Sequence, residues 1–269
     1  MVKKILKYST LLGITFVMVF PLLWMFRVSL SPVGSLSISE IWTSSSYTLS
    51  NYYDLFTSNN MGLYLFNSIL VGLIVTVSNI LFCFTVGYTF ARFQYITNKI
   101  LFVTVILVLM IPAHIIIIPL YLICLEVGIY DSYLALILPW LVNPIGIFLV
   151  KQYIDSLPIS MEEAARIDGA SELRILFKII MPICKPALAV LAIQVFFTNW
   201  NSFLFPYILT QSDQYRTLPV ALALFQGHQA IDWQHLMAGS TISVIPVLVI
   251  FILMQKQIVS GITGGAIKQ

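Results

Sequence analysis

Six long apolar segments constrain this chain more than any other feature of its sequence. Each can cross about 30 Å of hydrocarbon as an α-helix that rises about 1.5 Å per residue. With 59% apolar residues, 9% charged residues and a mean hydropathy of +0.94, the chain has the composition of a membrane protein. We predict an all-α membrane protein in which residues 1–269 form one domain with six transmembrane helices. The segments are Tyr8–Phe26, Leu65–Phe90, Ile100–Leu125, Ser132–Val150, Pro186–Thr210 and Leu236–Gln255.

The first segment raises the question of whether it is a cleaved signal peptide. It follows Lys3, Lys4 and Lys7, as a signal peptide would, but it continues through Pro21 and Trp24 without a small-residue cleavage site. We interpret it as an uncleaved first span.

The distribution of basic residues predicts how the spans are oriented. Lysine and arginine near span ends remain in the cytoplasm. Twelve of the 14 lie in the N-terminal segment, the loop with Arg92 and Lys99, residues 151–185 or the C-terminal segment, whereas Arg27 and Arg216 lie on the opposite side. Both termini and the loop 151–185 are therefore predicted to be cytoplasmic.

Several classes of function are disfavoured by what the sequence lacks. Cys83, Cys124 and Cys184 show no paired spacing, so we expect neither disulfides nor a metal site. No Walker A, HExxH or GxSxG motif is present, which predicts no bound nucleotide, no cofactor and no enzymatic activity. The net charge of +3 reflects topology and does not indicate nucleic-acid binding. The apolar segments carry no mid-membrane carboxylate, which disfavours an ion-coupled secondary transporter.

The loop 151–185 has the features of two short helices joined at a glycine. Ser160 and Glu163 have the spacing of a capping box, which predicts a helix that begins near Met161. Gly169 suits the left-handed position that ends a helix. A second helix is expected from Ala170 to Met181. Its predicted apolar face consists of Leu173, Leu176, Phe177 and Ile180. An interfacial amphipathic loop without a partner would have the same spacing.

The same loop resembles the EAA loop of ATP-binding-cassette (ABC) importer permeases. The family pattern is E-A-A-x3-G-x9-I-x-L-P, and residues 163–182 match it except that Met181 replaces the leucine. The resemblance implies that a cytoplasmic coupling helix docks on a separate ATPase subunit. The residues to which it assigns this coupling are Glu163, Ala164, Ala165, Asp168, Gly169, Ile179 and Pro182.

Two asparagines that flank a tryptophan are the best candidates for substrate contact. Asn199, Trp200 and Asn201 lie near the middle of the predicted fifth span, where an amide needs a partner or a polar cavity. Indole faces and amides suit the C–H faces and hydroxyls of a sugar. Hydrogen bonding between helices, with Trp200 as a packing residue, explains the pattern equally well. Asn67 is a weaker second candidate for the path.

Residues in the second half of the chain are similar to the carbohydrate branch of these permeases, the inner maltose-transport permease family. The similar stretches are Asn199–Pro206, Tyr215–Val220 and Gly261–Lys268. The resemblance implies a bacterial cell-membrane importer with a homologous second permease, an ATPase dimer that binds ATP and magnesium, and an extracellular solute-binding protein. It also implies that the last outer loop contacts the binding protein through Gln226, Gly227, His228, Asp232 and Trp233.

Three alternatives remain open at this point. The substrate could be a polyol or glycerol phosphate, although a phosphate would favour fixed cations along the path. The chain could also be a channel or scaffold that does not transport. The outer loop of residues 211–235 could be an ordinary solvated connection.

Overall fold

The computed structural model describes residues 2–32, 46–225 and 231–266, with side chains for 3–32, 46–225 and 231–255. All regular structure in these ranges is helical. The helices are α1 (Val2–Ser29), α2 (Ser50–Thr57), α3 (Met61–Arg92), α4 (Ile96–Val108), α5 (Ile117–Glu126), α6 (Tyr133–Ile137), α7 (Pro144–Asp155), α8 (Ser160–Ile167), α9 (Glu172–Ile183), α10 (Lys185–Trp200), α11 (Leu204–Leu209), α12 (Leu218–Leu224) and α13 (Trp233–Ala266). Short 3₁₀ turns occupy Ala113–Ile116, Leu138–Trp140 and Asp213–Tyr215.

Four stretches among the described residues are long and apolar enough to cross a membrane singly. They are Lys3–Ser29, Met61–Arg92, Tyr133–Asp155 and Trp233–Gln255. Two further candidates are bent helix pairs. The predicted third span is bent where α4 meets Ala113–Glu126 at 91°, and α9 meets α10 at 76°, a bend that lies before the predicted fifth span begins at Pro186. The structure therefore supports four to six spans.

The bends occur at prolines. Pro112 lies in the break between α4 and α5, and Pro182 and Pro186 flank the bend between α9 and α10. A proline in a helix cannot donate to the carbonyl four residues earlier, and its ring collides with that carbonyl. The turn before Pro182 is accordingly widened, since Ile175–Ile180 is π-helical.

The described chain divides into two compact units, and the prediction of a single domain remains a prediction. The first unit comprises residues 1–65 and 218–248. In it, the buried amide of Asn51 donates to the backbone oxygens of Ser29 and Ser31 at 2.8 and 2.9 Å, which fixes α2 to the end of α1.

The second unit comprises residues 66–217 and 249–269 and has its core between α3, α7 and α10. Glycines bring these helices close together: a Cβ at Gly87 would lie 2.9 Å from Val150, and one at Gly146 would lie 2.7 Å from Leu191. Small residues at helix contacts are typical of membrane proteins, where close backbone approach provides the packing energy.

A buried asparagine provides the hydrogen bond that a backbone carbonyl lacks where the fourth span is interrupted. In a continuous helix the carbonyl of Trp140 would accept from residue 144, but Pro144 has no N–H. The amide of Asn79, on α3, donates to this carbonyl at 2.7 Å. An irregular backbone segment is thus satisfied from a neighbouring helix, as burial in a membrane requires.

The predicted fifth span, Pro186–Thr210, is not one helix. The helix α10 ends at Trp200, and the shorter α11 follows after residues 201–203. Asn201 follows the last helical residue, and both its backbone N–H and its side-chain amide donate to the carbonyl of Phe197, at 3.1 and 2.8 Å. Asn199–Asn201 consequently lie at a helix terminus and not in the middle of a helix.

Candidate coupling site

The predicted helix at the centre of the loop 151–185 is present as α8, but the predicted capping box is wrong. Ser160 lies inside the first helical turn, and the preceding cap position is Ile159, which makes no side-chain cap bond. The backbone N–H groups of Glu162 and Glu163 instead bond to the carbonyl of Ile159 at 2.9 and 3.1 Å. Because the helix begins one residue earlier than predicted, the Ser160 hydroxyl is not at the N-cap.

Gly169 ends α8 in the left-handed conformation that the sequence predicts, with φ +79°. Its N–H bonds to the carbonyl of Arg166 at 3.0 Å, and the N–H of Ala170 reaches back to the carbonyl of Ala165 at 3.0 Å. This pair of bonds is a Schellman motif. It turns the chain sharply from α8 into α9.

The EAA residues lie on different faces of α8. Glu163 and Ala164 are exposed, whereas Ala165 packs into the core of the second unit. Beyond them, Ile167 is 86% exposed, and Asp168 is also exposed. The outward face of α8 therefore carries one large aliphatic side chain between exposed acidic residues.

The helix α9 presents a different apolar face from the one predicted. Ile175 and Ile180 are fully buried, but Leu173 is 69% exposed and Phe177 38% exposed. The wider turns of the π-helical stretch explain the error, since they change which residues share a face. Of the predicted coupling residues here, Ile179 is half-buried and Pro182 is exposed at the bend.

Sequence analysis missed the most deeply buried charge of the loop, Glu162. Its side chain is 0% exposed. The Nε group of Arg92 donates to Oε1 at 2.6 Å, and the hydroxyl of Tyr88 donates to Oε2 at 2.9 Å. Glu162 and Ala165 are three residues apart and share the inward face of α8. That spacing was the available signal, but it names no partner 70 residues away.

A second, more exposed arginine continues this charge cluster. Nη2 of Arg166 lies 3.7 Å from Oε2 of Glu162, and its guanidinium donates two hydrogen bonds to Glu172 at 2.7 and 3.1 Å. The bonds to Glu172 outweigh partial burial and raise the pKa of Arg166 above its ordinary value. Arg166 is therefore always charged, and it joins α8 to the start of α9.

The predicted path residues differ in their exposure and in their hydrogen bonds. Trp200 is only 4% exposed, Asn199 is half-buried beside Gly72, and Asn201 is exposed. Asn67 is completely buried, and its amide donates at 2.9 Å to the carbonyls of Gln214 and Arg216 while its oxygen accepts from Tyr133. These bonds hold the segment 211–217, so in this conformation Asn67 has no group left for a substrate.

Only part of the predicted binding-protein contact can be located. Gln226, Gly227 and His228 lie outside the described residues. Trp233 is 41% exposed at the start of α13. The carboxylate of Asp232 lies 2.6 Å from Nδ1 of His235, so it is directed towards its own helix.

Comparison with known proteins identifies the class of the chain. Residues 83–264 match the family described as the binding-protein-dependent transport system inner membrane component. The arabinooligosaccharides transport system permease protein AraQ of Halalkalibacterium halodurans is 35% identical over 261 residues, covering 95% of this chain and 93% of AraQ. The trehalose/maltose transport system permease protein MalG of Thermococcus litoralis is 33% identical over 271 residues, covering 99% and 97%.

A solved structure shares the fold. It is a chain from the crystal structure of a bacterial ABC transporter involved in the import of the acidic polysaccharide alginate, with a TM-score of 0.81 and 21% identity. The match covers 95% of this chain and 96% of that chain.

The chain thus belongs to the family of binding-protein-dependent transport system inner membrane components. It is a multi-pass membrane subunit for transport and not an enzyme, and its transport depends on a solute-binding protein. The resemblance of the chain to ABC transporter permeases is confirmed, whereas the coupling role of residues 163–182 remains a prediction.

Proposed function

We propose that this chain is the permease subunit through which a carbohydrate enters the cell, driven by ATP that a separate subunit hydrolyses. The observation that carries this proposal is α8, a short helix with an exposed Glu163, Ala164 and Ile167, fixed at its end by Gly169. Such a helix offers a rigid docking surface. The names of the relatives, which transport arabinooligosaccharides and trehalose or maltose, support a carbohydrate.

The proposed topology has six spans with both termini in the cytoplasm. The bent pair of α4 with α5 counts as one span, and α10 with α11 counts as the fifth, so that α9 stays in the cytoplasmic loop 151–185. The basic residues favour this orientation, because it leaves only Arg27 and Arg216 outside. The helix α8 then faces the cytoplasm, where an ATPase dimer that binds ATP and magnesium can reach it.

The proposed complex also contains a homologous second permease and an extracellular binding protein. Asn199 and Asn201 are the proposed path residues, with Asn199 the stronger of the two, whereas Trp200 between them is buried. The side chain of Asn199 is partly exposed and makes no hydrogen bond to any other described residue. An amide in that state can exchange hydrogen bonds with sugar hydroxyls. The proposed binding-protein contact is the outer loop with Gln226, Gly227, His228, Asp232 and Trp233.

The charge of the outer surface favours a neutral substrate over glycerol phosphate. Arg216 is ion-paired with Asp213, and it also donates to the carbonyl of Gln211 at 2.9 Å. Its charge is balanced locally, so a phosphate would have to compete with an existing partner.

The test is ATP hydrolysis by the complex in nanodiscs, together with its binding protein. Arabino-oligosaccharides, trehalose and maltose form one arm, and sorbitol and glycerol 3-phosphate form the other. We expect at least one carbohydrate to stimulate hydrolysis and the second arm to do nothing. Stimulation by sorbitol or glycerol 3-phosphate alone would show that the substrate is a polyol or a glycerol phosphate and not a carbohydrate. Failure of any ATPase to co-purify would favour a channel or scaffold.

A further inference from the structure

Glu162 is a buried carboxylate, and its hydrogen-bond partners indicate what it does in transport. Arg92 is the last residue of α3, and Tyr88 lies one turn earlier on the same helix. Both donate to Glu162, one to each carboxylate oxygen. Arg92 is only 9% exposed and Glu162 is 0% exposed, so removing Glu162 would leave Arg92 buried without its ionic partner, which is costly. The end of α3 and the first turn of α8 are therefore held together by hydrogen bonds of defined direction.

Arg92 contacts a third segment as well. Its Nη2 donates to the carbonyl of Leu157 at 3.2 Å, in the turn that leads into α8. The guanidinium is rigid and planar, so its position is fixed by both acceptors at once. A displacement of α8 must either carry the end of α3 with it or break these bonds.

The other connection from α8, through Arg166 to Glu172, differs in exposure. Arg166 is 39% exposed and Glu172 59% exposed, whereas Arg92 is 9% exposed and Glu162 is 0% exposed. Exposed ion pairs are weak, because water and salt screen them and their side chains are flexible. The buried connection to α3 is the stiffer of the two.

We propose that Arg92 and Tyr88 lock Glu162 so that α8 and α3 move as one rigid body when the ATPase moves α8. The inference rests on the proposed function, in that it assigns the route by which force from the ATPase reaches the transmembrane helices. Glu162 and Arg92 are positioning residues in this scheme. The 32-residue helix α3 then carries the displacement through the membrane.

The first test measures the rigid-body movement directly in the assembled complex. Spin labels at Thr89→Cys on α3 and Ser160→Cys on α8 occupy exposed positions. The native Cys83, Cys124 and Cys184 are buried and serve as an unreactive background. We expect the distance between the labels to be the same without nucleotide and after trapping with ATP and vanadate. A distance that changes on trapping in the otherwise unaltered chain would overturn the proposal.

The second test replaces the charges without leaving one unpaired. The double variant Arg92→Met, Glu162→Leu keeps similar volumes, and such apolar replacements of a buried pair are often neutral in stability. We expect normal thermal stability and basal ATP hydrolysis, a broadened distance between labels, and uptake reduced about tenfold or more. Normal uptake by the stable double variant would overturn the proposal.

Glu162→Gln provides the same information if the double variant does not fold, because the amide keeps the shape and one acceptor. Its melting temperature and uptake are measured on one preparation. Uptake that falls further than the folded fraction supports the proposal, and uptake that follows the folded fraction contradicts it.

The matched control is Asp155→Asn, which breaks the exposed ion pair Lys151 to Asp155 on α7. We expect uptake within about twofold of the unaltered chain, as for exposed pairs in general. The distance test needs only the ATPase, nucleotide and vanadate. If no carbohydrate stimulates the complex, the proposed function fails. The distance between the labels can still support or overturn the rigid-body proposal in that case.

Discussion

The indole of Trp200 stacks on the ring of Phe196, with centroids 5.6 Å apart and planes inclined by 17°. Both rings are buried in α10, and Phe196 also lies against Gly72 of α3, where a Cβ would be only 3.1 Å away. The stack fills space between two helices. Of the two roles that the sequence left open for Trp200, this arrangement favours packing.

Trp200→Ala should therefore lower the stability of the protein, whichever sugar is present. Truncating a buried tryptophan leaves a cavity that costs about 3–5 kcal/mol. We expect a lower melting temperature and poor yield with every sugar. Phe203→Ala is the control, because Phe203 stacks on Tyr207 but is 39% exposed. A stable Trp200→Ala protein with an affinity loss of about 5- to 30-fold would instead place the indole in the substrate path.

Asn67→Leu should destabilise the segment 211–217 and leave substrate preference unchanged. The substitution removes the donor for the carbonyls of Gln214 and Arg216, and a lost buried hydrogen bond costs about 1–3 kcal/mol. Protease sensitivity and melting temperature measure the effect. Asn98→Ala, which removes one exposed bond to the carbonyl of Phe93, should change neither. An Asn67→Leu protein of unchanged stability but altered sugar preference would refute the structural role.

Gly169→Val should impair transport through backbone strain alone. No atom lies within 4 Å of an added Cβ, so steric contact is not the cause. At φ +79° a side chain costs about 1–2 kcal/mol, and a β-branched one is the least tolerated. Gly128→Val is matched, since Gly128 has φ +76° and equally open surroundings but lies outside the loop 151–185. We expect similar losses of stability from both variants and loss of coupled ATP hydrolysis only from Gly169→Val. Equal coupling in the two variants would exclude a role for the glycine turn.

Acid should release the contact between Asp131 and the segment 211–217. Burial raises the pKa of Asp131, but hydrogen bonds from the N–H groups of Gln211 and Ser212 and from the Ser212 hydroxyl outweigh it, so the pKa falls below its ordinary 3.8. A lowered folded-state pKa gives stability that is present above the unfolded value and is lost as the pH falls through the folded value. The affected window lies below about pH 4.

Asp131→Asn is the comparison for this effect, because asparagine also tolerates the positive φ of 53° at this position. Melting temperatures are measured between about pH 6 and pH 3. The unaltered protein should lose more stability than the variant as the pH falls. Parallel curves would show that Asp131 does not contribute to the acid sensitivity.

Much of the fold follows from the sequence because lipid imposes simple rules. Apolar length predicted the positions of the long helices. The φ of Gly169 was also predictable, since few residues other than glycine can end a helix in that conformation. The end of α10 at Trp200 was not predictable, because no glycine or proline stands at residues 197–203 to mark it.

The exposed residues of the candidate site could be predicted from the sequence, but its buried residues could not. The motif identifies Glu163 because a family pattern includes it. Glu162 has no such signal, and its partner Arg92 lies 70 positions earlier, so only the packed structure brings them together. The face of α9 was wrong for a different reason: the π-helical turns before Pro182 do not follow the helical period that the prediction assumed.

The docking of α8 on the ATPase is tested most directly by measuring uptake and ATP hydrolysis with Glu163→Lys in the same proteoliposomes. Glu163 is exposed and forms no ion pair with any other described residue, so reversing its charge should not disturb folding. At a desolvated interface, such a change costs about 2–5 kcal/mol. Glu126→Lys makes the same reversal at an exposed position outside the loop 151–185 and serves as the control. The account predicts normal insertion and melting temperature, loss of the co-purifying ATPase and loss of carbohydrate uptake for Glu163→Lys alone. Normal ATPase association and normal uptake by that variant would contradict it.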